Sequence, residues 1–96
     1  MAVTQFAFCA VEGLIPSVYS SNAVVETVTP GGANVATTAV SLAGLHVCRI
    51  ATDTAIYVSF GAAPNAGTDT IRFYVPANGT EYFRVPVGVK AACIAA

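Results

Sequence analysis

The chain has no tryptophan, one methionine, one histidine and, in 96 residues, only four basic and five acidic side chains. Each scarcity removes a class of function. A net charge of −1 leaves no concentrated basic face for phosphate backbones, so nucleic acid is not an expected partner. Cys9, Cys48 and Cys93 form no C-x-x-C pair, and His46 stands outside any ligand-spaced cluster, so no metal site or other cofactor is expected. Gly31-Gly32 and Gly61 are too sparse for a phosphate cradle. The start, Met1 to Ala10, lacks the basic n-region of a signal peptide, and no apolar run is long enough to span a bilayer as a helix. Neither export nor a membrane is therefore expected.

Catalysis is poorly supported as well. Glu12, Glu26, Asp53, Asp69 and Glu81 are the only carboxylates, and the last three sit in or beside turn signals, where such groups solvate the loop or bind its backbone. Acid–base work needs two groups whose environments push their pKa values apart, and no such pair is evident. Ser17, Ser20, Ser21, Ser41 and Ser59 lack a Gly-x-Ser-x-Gly context. A lone histidine beside a strand reads as a structural hydrogen-bonding group. The expected catalytic set is empty.

What the chain has is hydrophobicity in small units. It is 55% hydrophobic and 9% charged, where about 25% charged is usual. Abundant Ala and Val account for part of this, since they raise the count without making large patches. The sharper reading is that other subunits cover much of the surface, because surface charge is what keeps monomers apart. The four cations, Arg49, Arg72, Arg84 and Lys90, all lie in the second half, and the first 48 residues hold only Glu12 and Glu26 as charges. That asymmetry marks the N-terminal half as the more enclosed one and as the part that meets a partner. Three widely spaced cysteines read as buried free thiols, with a disulfide between two of them left open.

Short runs rich in Val, Ile, Thr, Tyr and Phe, cut by Gly, Pro, Asn and Asp, predict one all-β domain over residues 1–96, a small antiparallel β-sandwich or jelly-roll-like barrel. From Val3 to Val11 the alternation places Thr4, Phe6, Phe8 and Ala10 on one face, with Val3, Gln5, Ala7 and Cys9 on the other. Leu14 to Ser20 is an extended segment that Pro16 confines to an edge. Ser21-Asn22 turns, Ala23 to Thr29 is a strand, and residues 30–34 are a loop. Val35 to Leu42 predicts a strand, with a short helix as the rival, and Ala43-Gly44 breaks it. Leu45–Ala51 and Thr54–Phe60 predict a tight hairpin around Thr52-Asp53, the carboxylate binding N–H groups just ahead. Residues 61–69 predict a flexible loop. Thr70–Val75 and Glu81–Val85 predict a second hairpin through Ala77-Asn78-Gly79, and Val89 to Ile94 the last strand.

If that second hairpin forms, Arg72, Tyr74, Tyr82 and Arg84 share one face, opposite Phe73, Val75, Phe83 and Val85. Tyr and Arg are enriched at protein interfaces because they combine area with polar reach; an ordinary solvated face with cross-strand pairs is the equal alternative. A single-strand nucleic-acid platform lacks the basic field it needs.

Residues 47–61 (Val-Cys-Arg-Ile-Ala-Thr-Asp-Thr-Ala-Ile-Tyr-Val-Ser-Phe-Gly) with Pro64, residues 73–86 (Phe-Tyr-Val-Pro-Ala-Asn-Gly-Thr-Glu-Tyr-Phe-Arg-Val-Pro), Gly88 and residues 91–95 resemble small β proteins of tailed bacteriophage particles. The resemblance covers the C-terminal half. It implies a virion structural role: a capsid decoration (cement) protein bound between major capsid subunits, or a tail- or fibre-associated module that binds a receptor or carbohydrate. It implies synthesis in the host cytoplasm and residence on the capsid surface, and it carries over no functional residue. A homo-oligomer is expected, a trimer above all, because shells offer threefold positions. Phe6 and Phe8 are the expected oligomer or capsid contacts, and the Tyr/Arg face a second one.

Overall fold

A computed structural model describes residues 2–12, 15–17, 24–38, 41 and 47–96, with backbone only for 10–12 and 15–17. His46, Ser20, Ser21, the Ser21-Asn22 turn and the Ala43-Gly44 break lie outside the described residues. No helix occurs among those described, so none is long and apolar enough to cross a membrane.

The strands are β1 (Thr4–Glu12), β2 (Ile15–Ser17), β3 (Val24–Val28), β4 (Val35–Ala36), β5 (Val47–Thr52), β6 (Ile56–Gly61), β7 (Phe73–Val75), β8 (Thr80–Arg84) and β9 (Lys90–Ala95). Every pairing is antiparallel. In one sheet β1 lies between β3 and β5, β8 follows β5 at the edge, and β2 pairs with the end of β1. The other sheet has the order β4-β9-β6-β7. The two inner faces meet in a core of Phe6, Phe8, Val28, Cys48, Ile50, Ile56, Val58, Val75, Val85, Ala91 and Cys93. The protein is a small antiparallel β-sandwich.

Following the chain from β3, the connections cross from sheet to sheet at every step except β6 to β7. That alternation, with β3-β1-β5-β8 facing β4-β9-β6-β7, is the strand order of a jelly roll. Here the strand that completes the first sheet comes before the other seven of that order rather than after them. The geometry allows it because Val3 and Ala96 reach one arch. The Val3 N–H donates to Asp53 Oδ1 at 2.8 Å, the Asp53 N–H donates to the Val3 carbonyl at 3.1 Å, and the Ala96 N–H donates to the Ala55 carbonyl at 3.0 Å.

Both predicted hairpins are corrected. β5 pairs with β1 and β8, and β6 pairs with β7 and β9, so residues 53–55 arch between sheets. Thr52, not Asp53, holds that arch locally. Its hydroxyl donates to the Thr54 carbonyl at 2.7 Å and accepts the Thr54 N–H at 3.3 Å. With its one proton used, the 2.9 Å contact to the Thr4 hydroxyl has Thr4 as donor. In the same way β7 pairs with β6 and β8 with β5. Pro76 to Gly79 makes a type II turn, closed by the Gly79 N–H on the Pro76 carbonyl at 3.0 Å, with Asn78 at φ 59°. A Cβ on Gly79 would stand 2.8 Å from that carbonyl oxygen. Asn-Gly therefore served here for a crossover, because a tight turn sets local chain reversal and not the sheet that the next strand joins.

Other boundaries agree more closely. β3 and β9 fall within a residue or two of expectation, and Pro16 sits on β2, which has β1 as its one partner among the described residues. The expected strand from Val35 is only two residues long as a ladder. The chain nevertheless follows β9: the Thr37 and Ser41 N–H groups donate to the carbonyls of Ala91 and Val89 at 2.7 and 2.9 Å.

Candidate interaction surfaces

The sequence-nominated residues fall in three places. Phe6 and Phe8 are fully buried, 0% exposed, at the centre of the sandwich. Their nomination as contacts for a partner is corrected: β1 is flanked on both sides, and the side chains at Phe6 and Phe8 face the second sheet. The N-terminal half is enclosed by the molecule's own core to this extent.

Arg72 and Tyr74 lie with the β6–β7 sheet, Tyr82 and Arg84 with the β5–β8 sheet. Because Val75 and Ile56 face inward on one sheet and Ile50 and Cys48 on the other, alternation turns the two Tyr/Arg pairs to opposite outer faces. The single four-residue face is corrected to two separate ones.

On the β6–β7 outer face, Tyr57 and Tyr74 are register partners whose rings meet edge-on at 5.7 Å. The Arg72 guanidinium lies 4.2 Å from the Tyr57 ring centroid, and its NH1 donates to the Ala66 carbonyl at 3.0 Å. Arg72 thereby straps residues 62–71 onto the sheet. The loop expected to be flexible is a hydrogen-bonded unit. Asp69 Oδ2 accepts the Asn65 N–H, Asn65 Oδ1 accepts the Gly67 N–H, and Asn34 bonds the Pro64 carbonyl and the Ala66 N–H. Gly67 lies so close that a Cβ would sit 3.2 Å from Ile94 Cδ1. Side chains of Asn and Asp that bind backbone groups supply this order. Ser59, on the same outward parity of β6, is buried, and its hydroxyl has no partner among the described residues.

On the other outer face, Arg49 is flanked by Ala7 and Tyr82 in register, and its NH1 reaches Gln5 Oε1 at 3.4 Å. Val25 and Tyr82 are 56% and 55% exposed there, which makes this face an apolar field carrying the Arg49 and Arg84 charges.

A further place, holding none of the nominated contacts, is the side of the sandwich where the edge strands β7 and β8 come together. Phe83 meets Phe60 at 5.3 Å and Phe73 at 5.0 Å between ring centroids, and Phe73 remains 43% exposed. The opposite side is closed differently. Glu26 of β3 shares the inward parity of Val24 and Val28, and its carboxylate accepts the Thr38 N–H at 3.0 and 3.1 Å and the Thr38 hydroxyl at 3.1 Å. Sequence reasoning missed this clamp, because nothing local to Glu26 announces a residue 12 positions on. It also missed Phe60 as a member of the ring cluster.

Asp53, Asp69 and Glu26 hold backbone N–H groups. No group of three His, Cys, Asp or Glu able to hold a metal ion occurs among the described residues. All three cysteines are free and buried, as expected from their spacing. Burial pushes the Cys48 thiol up to about 12, with Cys9 adding to the shift and a backbone hydrogen bond at Ala7 opposing it. Burial pushes Cys93 up to about 11, and raises Cys9 against the opposing Arg49 charge. These are inert thiols rather than nucleophiles.

No protein-family model, curated protein or solved structure matches the chain. The class is defined by the strands alone: an antiparallel β-sandwich in jelly-roll order.

Proposed function

We propose that the protein is a non-enzymatic virion structural protein, a capsid decoration protein that binds between major capsid subunits and stabilises the head. The observation that carries this reading is the jelly-roll strand order, an architecture used by viral capsid domains, in a chain where Glu26, Asp53 and Asp69 are spent on backbone N–H groups. Fold-level analogy is its warrant. The low charge density and the half-exposed rings at the β7–β8 side support assembly as the working mode, since they leave apolar area that association can bury. The test is co-sedimentation of the purified protein with shells of the major capsid protein encoded in the same genome. Saturable binding that raises the shells' disruption temperature is expected. Absence of binding at about 10 μM, a weak-complex concentration, would sink the reading.

A second reading, a tail- or fibre-associated module for carbohydrate, draws on the Tyr57–Tyr74–Arg72 platform, where an exposed ring stands beside a cation. Jelly rolls also serve as lectins. A glycan-array hit that Tyr74→Ala abolishes would put this reading first.

A further inference from the structure

We propose that β8 is a self-complementary edge through which two copies of the chain pair antiparallel about a twofold axis, joining both the sheet and the ring cluster across the interface. The backbone carries the first half of the argument. The Thr52 N–H donates to the Gly79 carbonyl at 3.1 Å, which makes Thr52 and Gly79 a hydrogen-bonded pair of the β5–β8 ladder. Such pairs alternate, so with the observed register Ile50/Glu81 and Cys48/Phe83 are hydrogen-bonded pairs too. The N–H and C=O groups of Thr80, Tyr82 and Arg84 therefore point away from β5, toward the free edge. They form a regular row without bulge or proline, which is what a further strand requires.

The side chains say which strand. In a twofold antiparallel pair each face continues across the junction, so outward residues meet outward residues and inward meet inward. The register centred on Phe83 sets Phe83 against Phe83 of the second copy and each Tyr82 against the other copy's Arg84. The first is an aromatic pair continuous with Phe60 and Phe73. The second repeats across the interface a chemistry this molecule already uses, Arg72 over Tyr57. Glu81, exposed in the single chain, falls two residues from the axis, level with Val85 of the second copy, and Pro86 ends the pairing because it has no N–H. The alternative centred on Tyr82 would press Glu81 against the ring of Phe83. The other described edges are guarded or short: β2 carries Pro16, β3 turns Glu26 inward, β4 has two residues, and β7 has three and runs into Pro76. The occupant is thus a second copy of this chain, and the β7–β8 side is where it sits.

The pair rests on the assembly reading for its use on a shell, not for its geometry. The experiment is native mass by light scattering behind a sizing column, run on the wild type, Tyr82→Pro and Arg84→Glu, with circular dichroism and a thermal melt on each. A wild-type mass twice the 9.7 kDa chain is expected. Tyr82→Pro removes an N–H with no partner among the described residues of one chain, so it keeps the β spectrum and returns the chain mass. Arg84→Glu weakens association about tenfold by removing both Tyr–Arg pairs. A wild type that stays monomeric at about 100 μM, a dimer indifferent to Tyr82→Pro, or a trimer would each overturn the twofold edge. Shell binding is measured on the same variants: monomeric Tyr82→Pro that still binds shells separates the two proposals, and a dimer that binds no shell sinks only the capsid reading.

Discussion

The two open sides of this sandwich are finished in different ways. At the β3–β4 side, where the sheets end in a five-residue and a two-residue strand, one carboxylate ties them together by accepting a backbone N–H and a hydroxyl from Thr38. At the β7–β8 side nothing polar bridges the sheets among the described residues; three phenylalanine rings fill the gap and one of them stays nearly half exposed. A polar clamp gains its energy from satisfied geometry and leaves no reason for a partner. A ring cluster gains its energy from burial, and an exposed ring gains more when something else covers it. The difference teaches which side is closed and which is ready to associate.

Two thiols make that comparison measurable. Cys48 is the register partner of Phe83, and Cys93 is the register partner of Val35. Each reports one side, because a buried thiol reacts only when its own side opens.

The largest expected effect abolishes the comparison. Phe6→Ala should cost about 3–5 kcal/mol and expose both thiols together; chemical denaturation and thiol labelling read it. A wild-type-like midpoint would return Phe6 to the surface role first assigned to it. Next, Phe83→Ala should cost about 2 kcal/mol, since Phe83 is only partly buried, and speed labelling of Cys48 ahead of Cys93. Glu26→Ala should cost about 1–2 kcal/mol, the range for a hydrogen-bonded charge partly open to water, and invert that order, Cys93 reacting first. Equal acceleration of both thiols in either variant would mean that the two sides open as one unit.

Alkaline pH acts on both sides evenly. The thiols of the unfolded chain ionise near their ordinary 9.0, whereas folded Cys93 and Cys48 hold their protons to about 11 and about 12. As pH rises past 9 the unfolded state sheds protons that the folded state keeps. Stability is therefore complete below that point and falls above it, by on the order of 1 kcal/mol per pH unit per thiol. Melting temperatures between pH 8 and about pH 10 test this; Cys48→Ala and Cys93→Ala should each flatten the slope by one thiol's share. The smallest effect belongs to a face away from both sides. Arg72→Ala should cost about 0.5–1 kcal/mol, and amide exchange should show the change first at residues 65–69. A global loss of protection would mean that the loop belongs to the core.

Strand positions and faces were legible in the chain. Period two in Val3–Val11 correctly grouped Phe6 with Phe8, and the same pattern grouped Ile56 with Val58 and placed Tyr57 opposite them. The candidate contacts were legible as residue types, but not their grouping. Reading residues 52–53 and 77–79 as hairpins joined neighbours in sequence. The pairs β1 with β5 and β6 with β9 lie 29 to 48 residues apart. The loop over residues 61–69 was read by its small residues and not by the Asn34 and Asp69 side chains that organise it.

By itself, then, the amino-acid order determined where most strands form, which side chains of one strand share a face, and that the thiols are buried. These follow from φ/ψ preferences, side-chain alternation and residue type, all of which act over a few residues. The tertiary structure alone decided which sheet each strand joins, that Phe6 and Phe8 face inward, and that Arg72 and Arg84 stand on opposite faces. A strand's backbone offers the same row of donors and acceptors to any neighbour, so pairing is settled by which arrangement buries both apolar faces at once.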